Sequence, residues 1–328
     1  MRVLFAGSPG IAVPSLRAIA GGAEVELAGV LTNADSRQGR GGGTEPTGVG
    51  ALAAILAEEY RRGGKEFVLF KPLKLDAAFR GAVAARHFDL LVSFAYGRIF
   101  GPKFLALFPL GGINVHPSLL PKYRGPSPIT AAILGGDRET GITIQTLAAE
   151  TDSGDILAQE RFPLTGRETA AGLGQRAAEK AALMLPPLLE GIARGTVKGR
   201  PQDHARASYC SLITKEEGLV DWTMGAPEID ARIRAFTPWP LCRTIHGGQE
   251  LYLLQARPYG GTAFPASGAA GTAPGTVLGV DTGWGILIQT GDGILAAERL
   301  QYRARKALGW KDFLNGARAF TGSLLGRA

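Results

Sequence analysis

Short strand-like segments recur through the first half of this 328-residue chain, beginning with a continuous apolar run in RVLFAG and followed by VELAGVLTN (25–33), FVLF (67–70), FDLLVSFA (88–95), INV (113–115), GITIQTLA (141–148) and ILAQERFPL (156–164). A strand buried on both faces reads this way. Between the runs, apolar residues return at helical spacing: Ile11, Leu16 and Ile19 with Pro14 in the first turn, the amphipathic stretch 49–63, ITAAILGG (129–136), and a long segment 167–192 with a kink or break expected at Pro186-Pro187. Strand and helix in alternation predict an α/β first domain over 1–192: an open, mostly parallel sheet with helices on both faces.

Such sheets bind ligands beyond the carboxyl ends of their strands. Asn114 and His116 fall at that end of the INV strand. Strand periodicity sends both side chains to one face, with Cα atoms about 6.5–7 Å apart. An amide and an imidazole could converge on one small group there. An isolated N-x-H is more often a capping amide and a surface histidine. Two neighbours change that reading. The following loop, PSLLPKYRGPSP, carries four prolines in twelve residues together with Lys122 and Arg124, a rigid shape with cations suited to an anionic ligand. TDSGDIL (151–157) delivers Asp152 in a second loop, where a carboxylate could orient His116 or hold a water.

FAGSPG, FAYG (94–97), INVHPSLLPKYRG, ETGITI (139–144) and TDSGD (151–155) together resemble the 10-formyltetrahydrofolate-dependent formyltransferases. SLITKEEGLVDW (211–222), IRAFTPWPLC (233–242), PGTVLG (274–279) and TGDGILAAERLQ (290–301) resemble the second domain of the branch that acts on methionyl-tRNA. The resemblance implies a Rossmann-like first domain and formyl transfer from 10-formyltetrahydrofolate, without a metal, to initiator methionyl-tRNA. It implies Asn114, His116 and Asp152 as the catalytic set. Asn114 would donate a hydrogen bond to the developing oxyanion; His116 would do the same if charged, or take the amine proton if neutral. It places folate against Phe94, Ala95, Tyr96, Gly97 and Arg98 and against the loop Ser118, Leu119, Leu120, Pro121, Lys122, Tyr123 and Arg124. Arg98 stands in a context like that of glycinamide ribonucleotide transformylases, where an arginine grips the glutamate tail; a solvated surface arginine is the competing reading.

The loop NADSRQGRGGGTEPTG (33–48) has glycines and a proline that exclude regular structure. By resemblance it meets the acceptor stem through Arg37 and Arg40, although the family's usual lysines are replaced by glycines. Residues 193–207 read as a linker. Beyond them, a helix (226–236) and short strands separated by turns predict a small OB-like β-barrel over 208–318, followed by a tail, 319–328. Glu216, Asp221 and Trp222 read as packing and capping residues. Residues 299–327 hold seven Lys or Arg and one Asp. Arg299, Arg303, Arg305 and Lys306 are therefore expected at the tRNA backbone, with a solvated face as the bland alternative.

A net charge of +7 and a pI of 9.5 agree with an acidic partner without demanding one. Cys210 and Cys242 form no CxxC or Cys/His cluster, so neither a structural zinc nor a disulfide framework is expected. MRVLFAGSPG is too short an apolar run for a signal peptide, and no run of 18 apolar residues exists, so a cytoplasmic protein without a membrane span is expected; a monomer is the default expectation, which no sequence feature decides. The alternative function is a sugar-nucleotide amine N-formyltransferase with the same donor. Hydrolase and dehydrogenase relatives would need a further domain. A non-catalytic RNA-binding protein would not need an Asn-His-Asp set.

Overall fold

The computed structural model describes residues 1–22, 24–38, 43–264, 271–317 and 319–326. They form two compact units. The first holds Met1–Pro128, Glu139–Pro163 and Gly174–Ser211; the second holds Ile129–Arg138, Leu164–Leu173 and Leu212–Ala328.

In the first unit β1 (Arg2–Gly7) leads through a 3-10 turn into α1 (Val13–Ala20), with Pro14 in the first turn where a missing N–H costs little. β2 (Glu26–Leu31) follows. The loop beyond it contains a feature that the sequence reading excluded: β3 (Ser36–Gln38) and β4 (Gly43–Glu45) pair antiparallel. Glycine disfavours a strand because it brings no side chain to pack, but the backbone ladder from Ser36–Glu45 to Gln38–Gly43 forms all the same. Next come α2 (Gly48–Arg62), capped by the Thr47 hydroxyl, and β5 (Val68–Phe70). α3 (Ala77–Ala84), capped by the Asp76 carboxylate, precedes β6 (Leu90–Phe94); α4 (Pro102–Leu105) precedes β7 (Gly112–His116). The hairpin strands β8 (Glu139–Thr146) and β9 (Ile156–Pro163) complete the first unit's sheet, while α5 (Pro128–Leu134) from Ile129 on and the first four residues of α6 (Ala170–Ala193) belong to the second unit.

The sheet runs β5-β2-β1-β6-β7-β8-β9. Its first five strands are parallel, and β8 and β9 are added antiparallel. The parallel strands carry the unbroken apolar runs because helices cover both faces; β1 and β6 are buried along almost their whole length. On one side Tyr96, Phe100, Phe104 and Phe108 stack in succession at centroid spacings of 5.2, 5.2 and 5.5 Å. The chain winds outward from β1 in one direction and from β6 in the other, so the crevice lies above the β1–β6 boundary and beside β7.

α6 continues through Pro186 and Pro187 instead of breaking. Each proline removes one helix bond, and Ala182 and Leu183, whose carbonyls lose a partner, are half-buried and exposed, so these carbonyls can meet water. Residues 193–207 are not a free linker either. Ile156 and Arg200 exchange backbone bonds of 2.8 and 2.9 Å, and Gln202 is buried in the first unit.

In the second unit α7 (Ala226–Ala235) is followed by β10 (Cys242–His246), β11 (Gln249–Pro258), β12 (Val277–Asp281), β13 (Gly285–Gln289), β14 (Ile294–Tyr302) and β15 (Leu308–Gly309), then α8 (Trp310–Gly316). The antiparallel sheet runs β10-β11-β14-β13-β12. Residues expected as a tail close it. Gly326 bridges Ile245 beside β10, and Leu324 bridges Thr276 beside β12, while Phe320 and Leu325 are buried. A curled antiparallel sheet leaves two unpaired edges, and this strap satisfies both. Trp222 packs inside and donates to the Thr244 hydroxyl at 3.0 Å; Asp221 accepts from Thr223, as capping predicts. Among the described residues no helix is long and apolar enough to cross a membrane.

Candidate active site

The expected trio converges in the first unit. β7 ends in Asn114-Val115-His116, and its neighbour β8 sets Gln145 opposite Asn114 and Thr143 opposite His116. Directly opposed residues share a face. The turn after β8 then brings Asp152 back over that face. Asp152 Oδ1 accepts from Asn114 Nδ2 at 3.3 Å and from Gln145 Nε2 at 2.9 Å. Its Oδ2 accepts from the Gly125 backbone N–H at 2.8 Å and lies 3.4 Å from His116 Nδ1.

His116 is only 4% exposed. Its Nε2 is 2.8 Å from the Tyr123 carbonyl. A carbonyl can only accept, so Nε2 carries a hydrogen; when the ring is neutral, it is the Nδ1 lone pair that faces Asp152. Burial pushes the imidazole below its usual range, while the Asp152 charge and the Tyr123 carbonyl pull the other way. Burial prevails. The shift favours the neutral ring, whose Nδ1 lies 3.4 Å from the Asp152 carboxylate.

The loop 117–125 is held from beneath. Thr143, on the same sheet face, donates to the Ser118 carbonyl at 2.7 Å and accepts from Leu120 N–H at 3.1 Å; Gln159 of β9 donates to the Leu120 carbonyl at 3.0 Å. From the other side, Tyr123 N–H donates to Ser208 Oγ at 3.0 Å, and Arg124 exchanges backbone bonds of 2.8 Å with Ser208 and Cys210. Gly125 has φ +117°, and a Cβ there would lie 2.2 Å from the Cys210 carbonyl oxygen, so only glycine fits. Tyr123 and Asp152 also take left-handed φ values of 59° and 52°, which cost energy and persist where the surroundings over-determine them.

Ser118, Leu120 and Arg124 turn inward. Arg124 does not offer its charge to an anion outside. It is 1% exposed, because Gln202 Oε1, at 2.8 Å from Nη2, and His204 Nδ1, at 3.1 Å, draw the guanidinium in. Lys122 is exposed, with Nζ 4.7 Å from the Tyr123 ring centroid. Leu119 packs against Gly141, and Pro121 is half-buried.

At the end of β6, Phe94 and Tyr96 bury their side chains while Ala95, with φ 51°, is exposed. The Tyr96 carbonyl accepts from Asn33 Nδ2 at 3.0 Å. Gly97 takes φ 81°, and Arg98 then folds back to donate from Nη1 to the carbonyls of Pro72 and Leu73, both at 3.1 Å. Arg98 is therefore neither fully solvated nor free; one guanidinium nitrogen ties two loops at the carboxyl edge of the sheet.

Of the basic residues expected at a nucleic acid, Arg37 lies in β3, and Arg40 lies outside the described residues. Arg299, Arg303, Arg305 and Lys306 are exposed on β14 and the turn after it, and Arg303 pairs with Glu250 at 3.0 Å. The sequence reading missed Gln145, Gln159, Gln202, Ser208 and Cys210. Gln145 had one available signal, a polar residue in a buried strand run. Gln159 lies in a strand that the sequence also marked, and Gln202, Ser208 and Cys210 sit where pattern is silent.

A formyl transferase family model matches residues 1–189, and the model of the formyl transferase C-terminal domain matches residues 212–318. The methionyl-tRNA formyltransferase of Treponema denticola is 47% identical over 323 residues, covering 98% of each chain. That of Roseiflexus sp. is 38% identical over 328 residues, covering 100% of this chain and 96% of the other. Among solved structures, HypX from Aquifex aeolicus in complex with tetrahydrofolic acid matches with a TM-score of 0.60 and 20% identity over 98% of this chain and 48% of HypX, so the chain spans about half of that protein. An N-formyltransferase from Helicobacter canadensis, in complex with folinic acid and dTDP-3-aminofucose, matches with a TM-score of 0.62 and 20% identity over 90% and 98%. At that identity the two structures share the fold.

Proposed function

The chain belongs to the formyl transferase family, and from that premise we propose that it moves the formyl group of 10-formyltetrahydrofolate onto the free amine of initiator methionyl-tRNA, yielding N-formylmethionyl-tRNA for translation initiation. The observation that carries the reading is the convergence of Asn114, His116 and Asp152 on one sheet face, in a chain whose full-length relatives at 47% and 38% identity are methionyl-tRNA formyltransferases.

In this reading the methionyl amine attacks the formyl carbon, a carbon–nitrogen bond to the folate breaks, and the amine loses a proton. Asn114 donates an N–H to the formyl oxygen as negative charge develops on it. His116 accepts the amine proton at Nδ1, and Asp152 stabilises the resulting imidazolium. The amine needs no covalent enzyme intermediate once it is deprotonated. The formyl donor lies along Phe94–Arg98 and the outer side of the 118–124 loop. The tRNA backbone meets Arg37, Arg40, Arg299, Arg303, Arg305 and Lys306. The catalytic domain is read as 1–192 with the 193–211 segment completing it, and the barrel as the tRNA-binding domain. A cytoplasmic monomer suffices for this chemistry.

The test is an acceptor panel with a labelled formyl donor: charged initiator methionyl-tRNA, free methionine, and amino-sugar nucleotides of the kind bound by the Helicobacter canadensis protein. Label should enter methionyl-tRNA alone. Label in an amino-sugar nucleotide, with none in the tRNA, overturns the acceptor.

A further inference from the structure

We propose that Gln202 is a positioning residue for the transfer, fixing the Asp152 carboxylate through Gln145. The proposal rests on Asn114, His116 and Asp152 being the catalytic set.

Arg124 fixes the direction of the series. A guanidinium has N–H donors and no acceptor. Arg124 Nε and Nη2 lie 3.2 and 2.8 Å from one atom of the Gln202 amide, so that atom must be Oε1. Gln202 Nε2 is then turned toward Gln145 Oε1 at 3.0 Å, the Asp152 carbonyl at 2.9 Å and the Gly154 carbonyl at 2.7 Å. Gln145, held by its oxygen, must present Nε2 to Asp152 Oδ1. Each amide is kept from flipping by the group before it. The series runs one way, from a permanently charged donor to the carboxylate beside His116.

Two further observations separate this series from ordinary packing. Gln145 and Gln202 are 1% and 5% exposed, and two apolar side chains would fill such space without the cost of burying amides. Gln202 also grips the backbone on both sides of Ser153, in the turn where Asp152 holds its left-handed φ of 52°. It therefore sets where the carboxylate stands as well as which way it faces. A misplacement of about 1 Å at a reacting group can cost about 10²-fold in rate.

The experiment is steady-state kinetics on the full chain with Gln202→Met, Gln145→Leu, the double variant, and Asn114→Ala as reference. Each glutamine variant should lower kcat by about 10- to 100-fold while KM for the formyl donor and for methionyl-tRNA moves less than about two-fold. The double variant should fall no further than the worse single, because both break one series. Gln202→Glu guards against a folding defect. It keeps an acceptor for Arg124 but sets a carboxylate oxygen against three oxygens, so it should stay folded by thermal melt and still lose kcat. Folded glutamine variants with wild-type kcat, or additive losses in the double, overturn the proposal while a crippled Asn114→Ala leaves the catalytic reading intact. Wild-type kcat in Asn114→Ala overturns both.

Discussion

Asn114 and Gln145 stand directly opposite each other in the antiparallel β7–β8 pair, and both send an amide N–H to the same oxygen, Asp152 Oδ1, from 3.3 and 2.9 Å. The two amides are not equivalent. Gln145 is held by Gln202 behind it. Asn114 is half-buried and donates over the longer distance, which suits it, in the proposed transfer, to exchange Asp152 for the formyl oxygen.

Asn114→Ala and His116→Ala should each reduce kcat by on the order of 10²–10³-fold, the loss expected for one oxyanion donor or one acid-base group. Affinity for tRNA should change little. Single-turnover formylation with bound tRNA measures the first effect and filter binding the second. Near-normal turnover in either variant removes that residue from the chemistry.

His116 also predicts a pH dependence of stability. Burial lowers its folded pKa below the ordinary 6.5, so the folded protein binds this proton less readily than the unfolded chain. The contribution is complete above about pH 6.5 and is lost as pH falls through the folded value. Urea unfolding between about pH 7.5 and pH 5 should show the wild type losing more stability on acidification than His116→Gln. Parallel curves for the two proteins would rule this out.

Arg98→Ala should raise KM for the formyl donor more than it lowers kcat, with the larger effect on polyglutamylated donors. Because Nη1 already serves the Pro72 and Leu73 carbonyls, the variant should also speed amide exchange in residues 71–74. Faster exchange with equal kinetics for mono- and polyglutamate donors would reduce Arg98 to a loop tie.

Neutralising Arg299, Arg305 and Lys306 together should weaken tRNA binding and flatten its salt dependence. The slope of log affinity against log salt should shrink by about 0.9 for each phosphate that no longer meets a cation, with folate binding unaffected. An unchanged slope would place the tRNA elsewhere.

Deleting residues 320–328 should destabilise the second unit. The deletion removes buried Phe320 and Leu325 and opens both sheet edges. Loss of the aromatic ring alone costs about 3–5 kcal/mol. Calorimetry should show a lower Tm, and hydrogen exchange should rise first along β10 and β12. An unaltered melt would mean that the strap contributes nothing.

The central strands were legible because burial on both faces demands unbroken apolar sequence, and Asn114 and His116 because a two-residue period puts them on one face. Pattern alone offered Asp152 as a loop carboxylate that could orient His116 or hold a water, and its place in the set came from the resemblance. Gln202 was not legible: it lies fifty residues beyond Asp152 in a polar stretch with glycine and proline, where no period marks a buried side chain. The strap at 322–326 was missed for a related reason. Isolated bridges on a short irregular segment leave no alternation to read. The β3–β4 pair shows the converse, since it depends on backbone bonds that side-chain composition does not report.

The lacing of Tyr123 and Arg124 to Ser208 and Cys210 has a consequence for the order of synthesis. A ribosome that has passed residue 152 has already made every group assigned to the chemistry, yet the loop that holds His116 lacks its outer support until residue 210 has cleared the exit tunnel. The emerging polypeptide thus carries its reactive side chains for some sixty residues of elongation before they have a frame, at about 5–20 residues per second.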